Sequence, residues 1–431
     1  MKKMNKQFLY FTNVRHSVVL IMIAAFLCYT GMYAVRKSFL AAQYAGTSYE
    51  LISGVEYKVL LVISQVLGYM LSKFVGIKVI SEMSSKRRSV WLVILVSFGL
   101  FMLLAFYILP PGWKVLAMFL NGLPLGMVFG IVFSYLEGRR NTELLAAALS
   151  TTFIFSTGLV KNVGVVMMSD FGIDEFAMPF VTGLLFFPLF LLSVMILNRV
   201  KGPDKEDKMY RTERNPMNGK ERKEFIVTYT IGFVALIIMY VILTIVRDFR
   251  DNFIVEFWAE LGYSEEPGIL TLTEIPIAIS VVIIAGLGFL IKRNLLAFNM
   301  GMIATILSAF LILITTYLFK ANQVSPVFWM IATGTGIYLP YILFHCLIFE
   351  RLIAFLKYSG NVGFLFYSAD ALGYLFSVLV LLMKEIFSFD NSWVHFLIEL
   401  NINAAIGLIS VSFIALVFFN KWVFLPRKAI A

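Results

Sequence analysis

Asn198-Arg199-Val200-Lys201-Gly202-Pro203-Asp204-Lys205-Glu206 opens the one long polar break in a chain that is otherwise a succession of apolar runs. The break extends to Glu224 and leaves equal numbers of apolar runs on its two sides. A helix that crosses a bilayer needs about 20 mostly apolar residues. Runs of that length fall at 17–43, 57–79, 89–109, 113–136, 144–169, 176–198, 225–249, 267–291, 294–319, 325–349, 358–383 and 393–419. The pattern predicts an all-α integral membrane fold of twelve transmembrane helices in two six-helix pseudo-repeats. Residues 1–198 form the N-terminal half, 199–224 a cytoplasmic central loop and 225–431 the C-terminal half.

Composition agrees with lipid as the main solvent. The 431 residues are 60% hydrophobic and 14% charged, with a mean hydropathy of +0.86, well beyond the roughly half-apolar average of soluble domains. The 42 Phe are spread along the whole length, so no soluble domain accounts for a separate share of the chain. A net charge of +10 raises the question of nucleic acid. The basic residues nevertheless lie in short stretches between apolar runs and form no continuous basic face, which argues for the bilayer as partner and against nucleic acid. Cys28 and Cys346 sit within apolar runs, where a thiol behaves as a small hydrophobe. No metal and no cofactor is expected. The basic stretch before residue 17 is followed by no small-residue cleavage site, so the first run reads as a retained span.

Orientation follows from charge. With a cytoplasmic N-terminus, 26 of the 36 Lys and Arg fall in the tails and loops assigned to the cytoplasm, against only Lys114, Lys320 and Lys384 on the other side. By the positive-inside rule both termini and the central loop are cytoplasmic, in a membrane expected to be a bacterial inner membrane.

Seven basic residues remain within or beside spans: Arg36, Lys37, Lys58, Lys73, Lys161, Arg247 and Arg250. A charge at the bilayer centre costs about 2.5–3.5 kcal/mol on insertion scales, so such side chains face a bundle interior or a watery path. Arg36 in Tyr33-Ala34-Val35-Arg36-Lys37-Ser38-Phe39 and Arg247 in Thr244-Ile245-Val246-Arg247-Asp248-Phe249-Arg250 each follow a Val, at similar depths of spans one and seven. Equivalent placement in two halves is what a parallel-repeat transporter predicts. Two guanidinium forks facing one another would hold a phosphate or carboxylate through paired hydrogen bonds. Snorkelling to outer headgroups is the alternative for all four end-of-span cations, and it suits Lys37 and Arg250 better than Arg36 and Arg247. For Lys73, near the inner end of its span, snorkelling is the favoured reading.

Lys161, deep in span five, is either a third cation of the site or the partner of a distant acid. Glu274 in span eight and Asp370 in span eleven are candidates for that acid, and equally for a proton-coupling group or a structural salt bridge. Lys58 faces either the site or the outer surface, and Tyr33 is a candidate for lining the path. His345 in span ten is read first as an interhelical hydrogen-bonder.

The string around Arg36 is similar to the Tyr-x-x-Arg-Lys-x-Phe pattern of organophosphate:inorganic phosphate antiporters in the major facilitator superfamily. Gly68-Tyr69-Met70-Leu71-Ser72-Lys73-Phe74 resembles the second-helix Gly-Tyr-Ser-Lys-Phe segment of the same family, with two residues added. The resemblance implies that Arg36 and Arg247 hold a substrate phosphate. The chain departs from the pattern after span two, where Ser81-Glu82-Met83-Ser84-Ser85-Lys86-Arg87-Arg88 replaces Gly-x-x-x-Asp-Arg and Glu82 is left to take the acidic role. Span five also lacks the histidine of that family.

These observations favour a secondary active transporter of a small organic anion, such as a phosphate ester, working by alternating access and functional as a monomer. Substrate-binding candidates are Arg36, Arg247, Lys161, Tyr33 and Lys58, and ion-coupling candidates are Glu274 and Asp370. Exchange against phosphate and proton symport of a non-phosphorylated solute both stay open, as does a transporter-like sensor of an anionic metabolite. No catalytic constellation or Gly-x-x-x-x-Gly-Lys-Ser/Thr loop is present, so no enzyme activity is expected and the driving energy comes from a gradient.

Overall fold

In the computed structural model the described residues are 2–45, 55–81, 83, 85–136, 139, 142–200, 219–264, 266, 268–356, 362–386 and 392–421. Most of the expected central loop, and Glu82 with it, lies outside them. Among the described residues the long helices are α1 (Lys2–Lys37), α2 (Tyr57–Ser81), α3 (Arg88–Ile108), α4 (Pro111–Leu136), α5 (Leu144–Ser169), α6 (Met178–Arg199), α7 (Thr230–Asn252), α8 (Ile269–Phe289), α9 (Asn294–Lys320), α10 (Pro326–Leu356), α11 (Val362–Ile386) and α12 (Trp393–Lys421). Eleven have the length and composition to cross a membrane. α11 is the twelfth, at 25 residues. The expected twelve-helix membrane fold is what the chain adopts.

The chain forms two compact units, Met1–Leu51 with Tyr57–Thr212 and Ile52–Glu56 with Glu213–Ala431. In the first, α1 packs on α5 and α6, α4 packs on α2 and α3, and α3 packs on α6. In the second, α7 packs on α11 and α12, α10 on α8 and α9, and α9 on α12. Adding six to each helix number of the first set gives the second, which is the pairing of an internal duplication. The first helix of each unit also ends in a short helical turn, Ser38–Ala41 after α1 and Ile254–Glu260 after α7.

Close approaches rest on small residues. A Cβ on Gly68 would lie 2.1 Å from the Phe119 carbonyl oxygen, and one on Gly122 would lie 2.2 Å from that of Gln65, so α2 and α4 meet backbone to backbone. Three helices are interrupted. α4 breaks after Leu125, one residue past Pro124; α5 breaks at Thr151. α10 carries Pro340 and then a π-helical turn, Phe344–Ile348. Proline removes a backbone donor and crowds the preceding turn, so the helix changes winding there. Apolar side chains such as Leu185, Ile283, Leu287 and Phe413 face outward, as lipid contact requires.

Candidate functional site

The last carbonyls of a helix have no partner within it. At the end of α1 the side chains of neighbouring helices supply them. Asn121 Nδ2 on α4 donates to the Val35 carbonyl at 3.2 Å and to that of Gly99 at 2.9 Å. Gln65 Nε2 on α2 donates to the Arg36 carbonyl at 2.7 Å and to Asn121 Oδ1 at 2.8 Å. Both amides are buried, so the α1 terminus is fixed where Arg36 projects.

Arg36 is 3% exposed, and its guanidinium carbon lies 3.5 Å from the centre of the Tyr69 ring. Lys73 Nζ approaches the same ring at 5.1 Å and Phe129 at 5.7 Å. A ring that receives two cations replaces part of the water each has lost, with cation–π attraction of about 0.5–2 kcal/mol apiece. Lys73 is therefore buried and not snorkelling. Lys37 is likewise buried at 3% exposure, because the turn after α1 tucks against α5 and α6 and does not reach a headgroup layer. Lys58 faces neither the outer surface nor open space: its Nζ donates to the Leu40 carbonyl at 3.0 Å and ties α2 to that turn. Tyr33, one helical turn before Arg36, is buried edge-on against Tyr29 at 5.1 Å. Lys161 is 1% exposed on α5. Lys114, expected in an outer loop, instead reaches back to the Phe106 and Tyr107 carbonyls at 2.7 and 2.9 Å and caps α3.

The first unit thus buries six cations, Arg36, Lys37, Lys58, Lys73, Lys114 and Lys161. Of its acids, Asp170, Asp174 and Glu175 are at least partly exposed. Glu175, outside the spans, accepts from the Tyr44 backbone N–H at 3.1 Å. Partial burial holds its carboxyl above the ordinary carboxylate range; that hydrogen bond pulls the other way and Asp174 adds to the rise.

The second unit handles charge differently. Arg247 Nη1 donates to the Tyr341 hydroxyl at 2.6 Å, and Nη2 donates to Asp248 and, at 3.3 Å, to the Tyr374 hydroxyl. Its Nε is buried without a protein partner among the described residues, one donor left for a ligand. Arg250, for which snorkelling was the alternative reading, is 1% exposed and paired with Glu274 at 2.7 Å. A Cβ on Gly334 of α10 would lie 3.0 Å from Arg250 Nη2, so this glycine leaves room for the pair. Asp370 accepts from the Tyr240 hydroxyl at 2.6 Å, and that oxygen is also 3.0 Å from His345 Nε2 and 3.3 Å from the Tyr341 hydroxyl. His345 is the interhelical hydrogen-bonder its sequence position suggested.

Gln65, Asn121, Tyr240, Tyr341 and Tyr374 are the partners that sequence reasoning missed. Gln65 and Asn121 carried a usable signal, a lone amide inside an apolar run. The tyrosines, among 19 in the chain, carried none. Among the described residues, no group of three His, Cys, Asp or Glu side chains is arranged to hold a metal ion.

Residues 38–422 match the family model described as "Family of unknown function (DUF5690)". The chain belongs to that family. No curated protein matches the sequence significantly. Among solved structures it is similar to a D-xylose–proton symporter, with a TM-score of 0.61 at 12% identity, covering 96% of this chain and 98% of that one. It is similar to a peptide transporter POT, a point mutant crystallised in complex with alafosfalin, with a TM-score of 0.60 at 15% identity over 94% and 96% of the two chains. A point mutant of the nucleoside transporter NupG gives 0.58 at 12% identity over 93% and 99%. At these identities the likeness is one of fold, and the fold is that of the major facilitator transporters.

Proposed function

We propose that the chain is a secondary active transporter of a small solute carrying an anionic group, a phosphate ester or a carboxylate, working by alternating access with both termini and the central loop cytoplasmic. The observation that carries the reading is the burial of six cations among the described residues of the first unit, Arg36 among them. Stability alone does not call for such an interior, because each buried charge costs desolvation. An anionic cargo compensates it. Arg36 and Arg247 are the proposed anion ligands, with Lys161 adding charge and Tyr33 lining the approach. Lys58 acts one step back, by holding the turn beyond Arg36. The phosphate-ester preference draws support from the strings around Arg36 and Ser72, and the fold shared with three transporters supports transport itself.

Of the two ion-coupling candidates, the pairing with Arg250 favours a structural salt bridge for Glu274. Asp370, hydrogen-bonded to a tyrosine that also meets a histidine, is the coupling candidate this geometry favours.

Arg36→Lys and Arg247→Lys test the site, since lysine keeps the charge and loses the fork. Each charge-assisted hydrogen bond is worth about 1.5–3 kcal/mol, so either variant is expected to weaken binding of inorganic phosphate or glycerol phosphate by at least about tenfold, with insertion intact. Undiminished affinity in the double variant would remove both arginines from the site.

A further inference from the structure

The second unit contains an unbroken hydrogen-bonded chain from Asp370 to Arg247. Asp370 Oδ1 meets the Tyr240 hydroxyl at 2.6 Å, the Tyr240 and Tyr341 hydroxyls are 3.3 Å apart, and Tyr341 accepts from Arg247 Nη1 at 2.6 Å. Tyr240 and Tyr341 are buried to 1% exposure or less. A Cβ on Gly373 of α11 would lie 2.8 Å from the Thr244 hydroxyl of α7, so this glycine lets the two helices approach at this level.

A phenol has one proton and two lone pairs. The shortest contact of the Tyr240 hydroxyl is to the Asp370 carboxylate, so its proton goes there. Its oxygen is then an acceptor for the Nε2–H of His345 at 3.0 Å and for the hydroxyl of Tyr341. With the Tyr341 proton turned toward Tyr240, the remaining lone pairs of Tyr341 are available to Arg247. A proton bound at Asp370 reverses the order. The carboxyl now donates to the Tyr240 oxygen, the Tyr240 proton turns to Tyr341, and the Tyr341 oxygen is shared between that proton and Arg247.

We propose that Tyr240 and Tyr341 are positioning residues that convey protonation of Asp370 to Arg247, releasing the guanidinium toward an incoming anion and so coupling anion binding to proton binding. The proposal rests on Arg247 being an anion ligand. It predicts that protons and anion bind cooperatively, the sense required for symport and not for phosphate exchange. The groups facing the chain are Arg247 and Asp248 on α7, Tyr341 and His345 on α10, and Asp370 and Tyr374 on α11. Arg250 on α7 is engaged by Glu274 of α8, near Tyr338 of α10. Farther along α10, Arg351 donates to Asn294 of α9 beside Glu350. On α12, His395 is exposed and Glu399 pairs with Lys320 at the surface.

Two measurements on the purified full-length protein test this. The first is calorimetric binding of inorganic phosphate across pH 5.5 to 8. Wild type is expected to bind more tightly as pH falls, and Tyr240→Phe, which leaves the Tyr341 contact to Arg247, is expected to bind with an affinity that no longer varies with pH. An unchanged pH dependence in Tyr240→Phe overturns the proposal. The second needs no anion. The chain has three histidines, so the ¹⁵N resonances of His345 are assignable by single substitution. Binding effects between linked sites are reciprocal, so Arg247→Lys is expected to move the His345 titration midpoint by about half a pH unit, roughly threefold in proton affinity. In the Tyr341→Phe background, where the middle link is missing, the same substitution is expected to move it negligibly. Equal shifts in both backgrounds, or none in either, overturn the relay. Absent phosphate binding with the His345 coupling intact would instead reject Arg247 as an anion ligand and retain the relay.

Discussion

The two units share helix pairings and differ in how they keep charge inside a membrane. In the first, buried cations are solvated by backbone carbonyls and aromatic rings: Lys58 by Leu40, Lys114 by Phe106 and Tyr107, Arg36 and Lys73 by Tyr69. In the second, the buried arginines have carboxylates, Asp248 for Arg247 and Glu274 for Arg250. Carbonyls and rings stabilise a cation without neutralising it. Among the described residues the second unit buries Arg247, Arg250 and Lys384 with Asp248, Asp251, Glu256, Glu274 and Asp370, so its charges are interdependent.

The largest effect is expected where the charges depend on one another. Glu274→Gln leaves Arg250 buried without its counter-charge, a change that costs about 3–5 kcal/mol when one partner of a buried pair is removed. Thermal unfolding in detergent is expected to fall by many degrees. A further Arg250→Met is expected to restore much of the loss, because the orphaned charge goes with it. If the single variant is as stable as wild type, the two units handle charge alike.

A tighter probe of the same pair is Gly334→Ala. The added Cβ would lie 2.5 Å from Ile277 and 3.0 Å from Arg250, and overpacking of this kind costs about 1–3 kcal/mol. The loss is expected to shrink in the Glu274→Gln, Arg250→Met background, where the arginine is absent. An equal loss in both would place the strain on Ile277 alone.

Lys58→Met in the first unit removes the donor to the Leu40 carbonyl. The expected loss is about 1 kcal/mol, the size of an ordinary hydrogen bond. A loss as large as that of Glu274→Gln would mean that Lys58 has an acidic partner, and the contrast between the units would weaken.

The smallest effect lies outside the spans. The carboxyl of Glu175 titrates above its ordinary value, so it binds its proton more tightly in the folded state. Its contribution is fully present below the unfolded carboxylate range and is lost as pH rises through the folded value. Glu175→Gln is expected to flatten a shallow decline in stability as pH rises above the ordinary carboxylate range, while keeping an acceptor for the Tyr44 N–H. A steeper decline in the variant would reverse the sign.

The fold was legible from the apolar runs and the break after Asn198, since spanning helices must satisfy their backbone internally and so write their length into composition. The duplication was nearly invisible. Val35-Arg36 and Val246-Arg247 hinted at it, and the matched helix pairings carry it, because packing partners survive where residues do not. Arg36 and Arg247 stood out as charges inside spans. Snorkelling was the favoured reading for Lys73 and an alternative for Lys37 and Arg250, because sequence position along a span does not say whether the neighbouring surface is lipid or protein. Lys114, near the start of α4, folds back onto the carbonyl end of α3, a contact that its place at a short break did not reveal. The tyrosines of the Asp370 chain became legible only once α7, α10 and α11 were brought together around Pro340 and Gly373.

Transport of an anion is tested most directly by flux. Purified protein in proteoliposomes, given an inward proton gradient and a panel of labelled phosphate esters and carboxylates, is expected to accumulate at least one of them saturably. Arg36→Lys and Arg247→Lys are each expected to cut the rate at least about tenfold at sub-saturating substrate. An anion that binds with the same arginine dependence and never crosses the bilayer under any imposed gradient would contradict transport and make the chain a sensor.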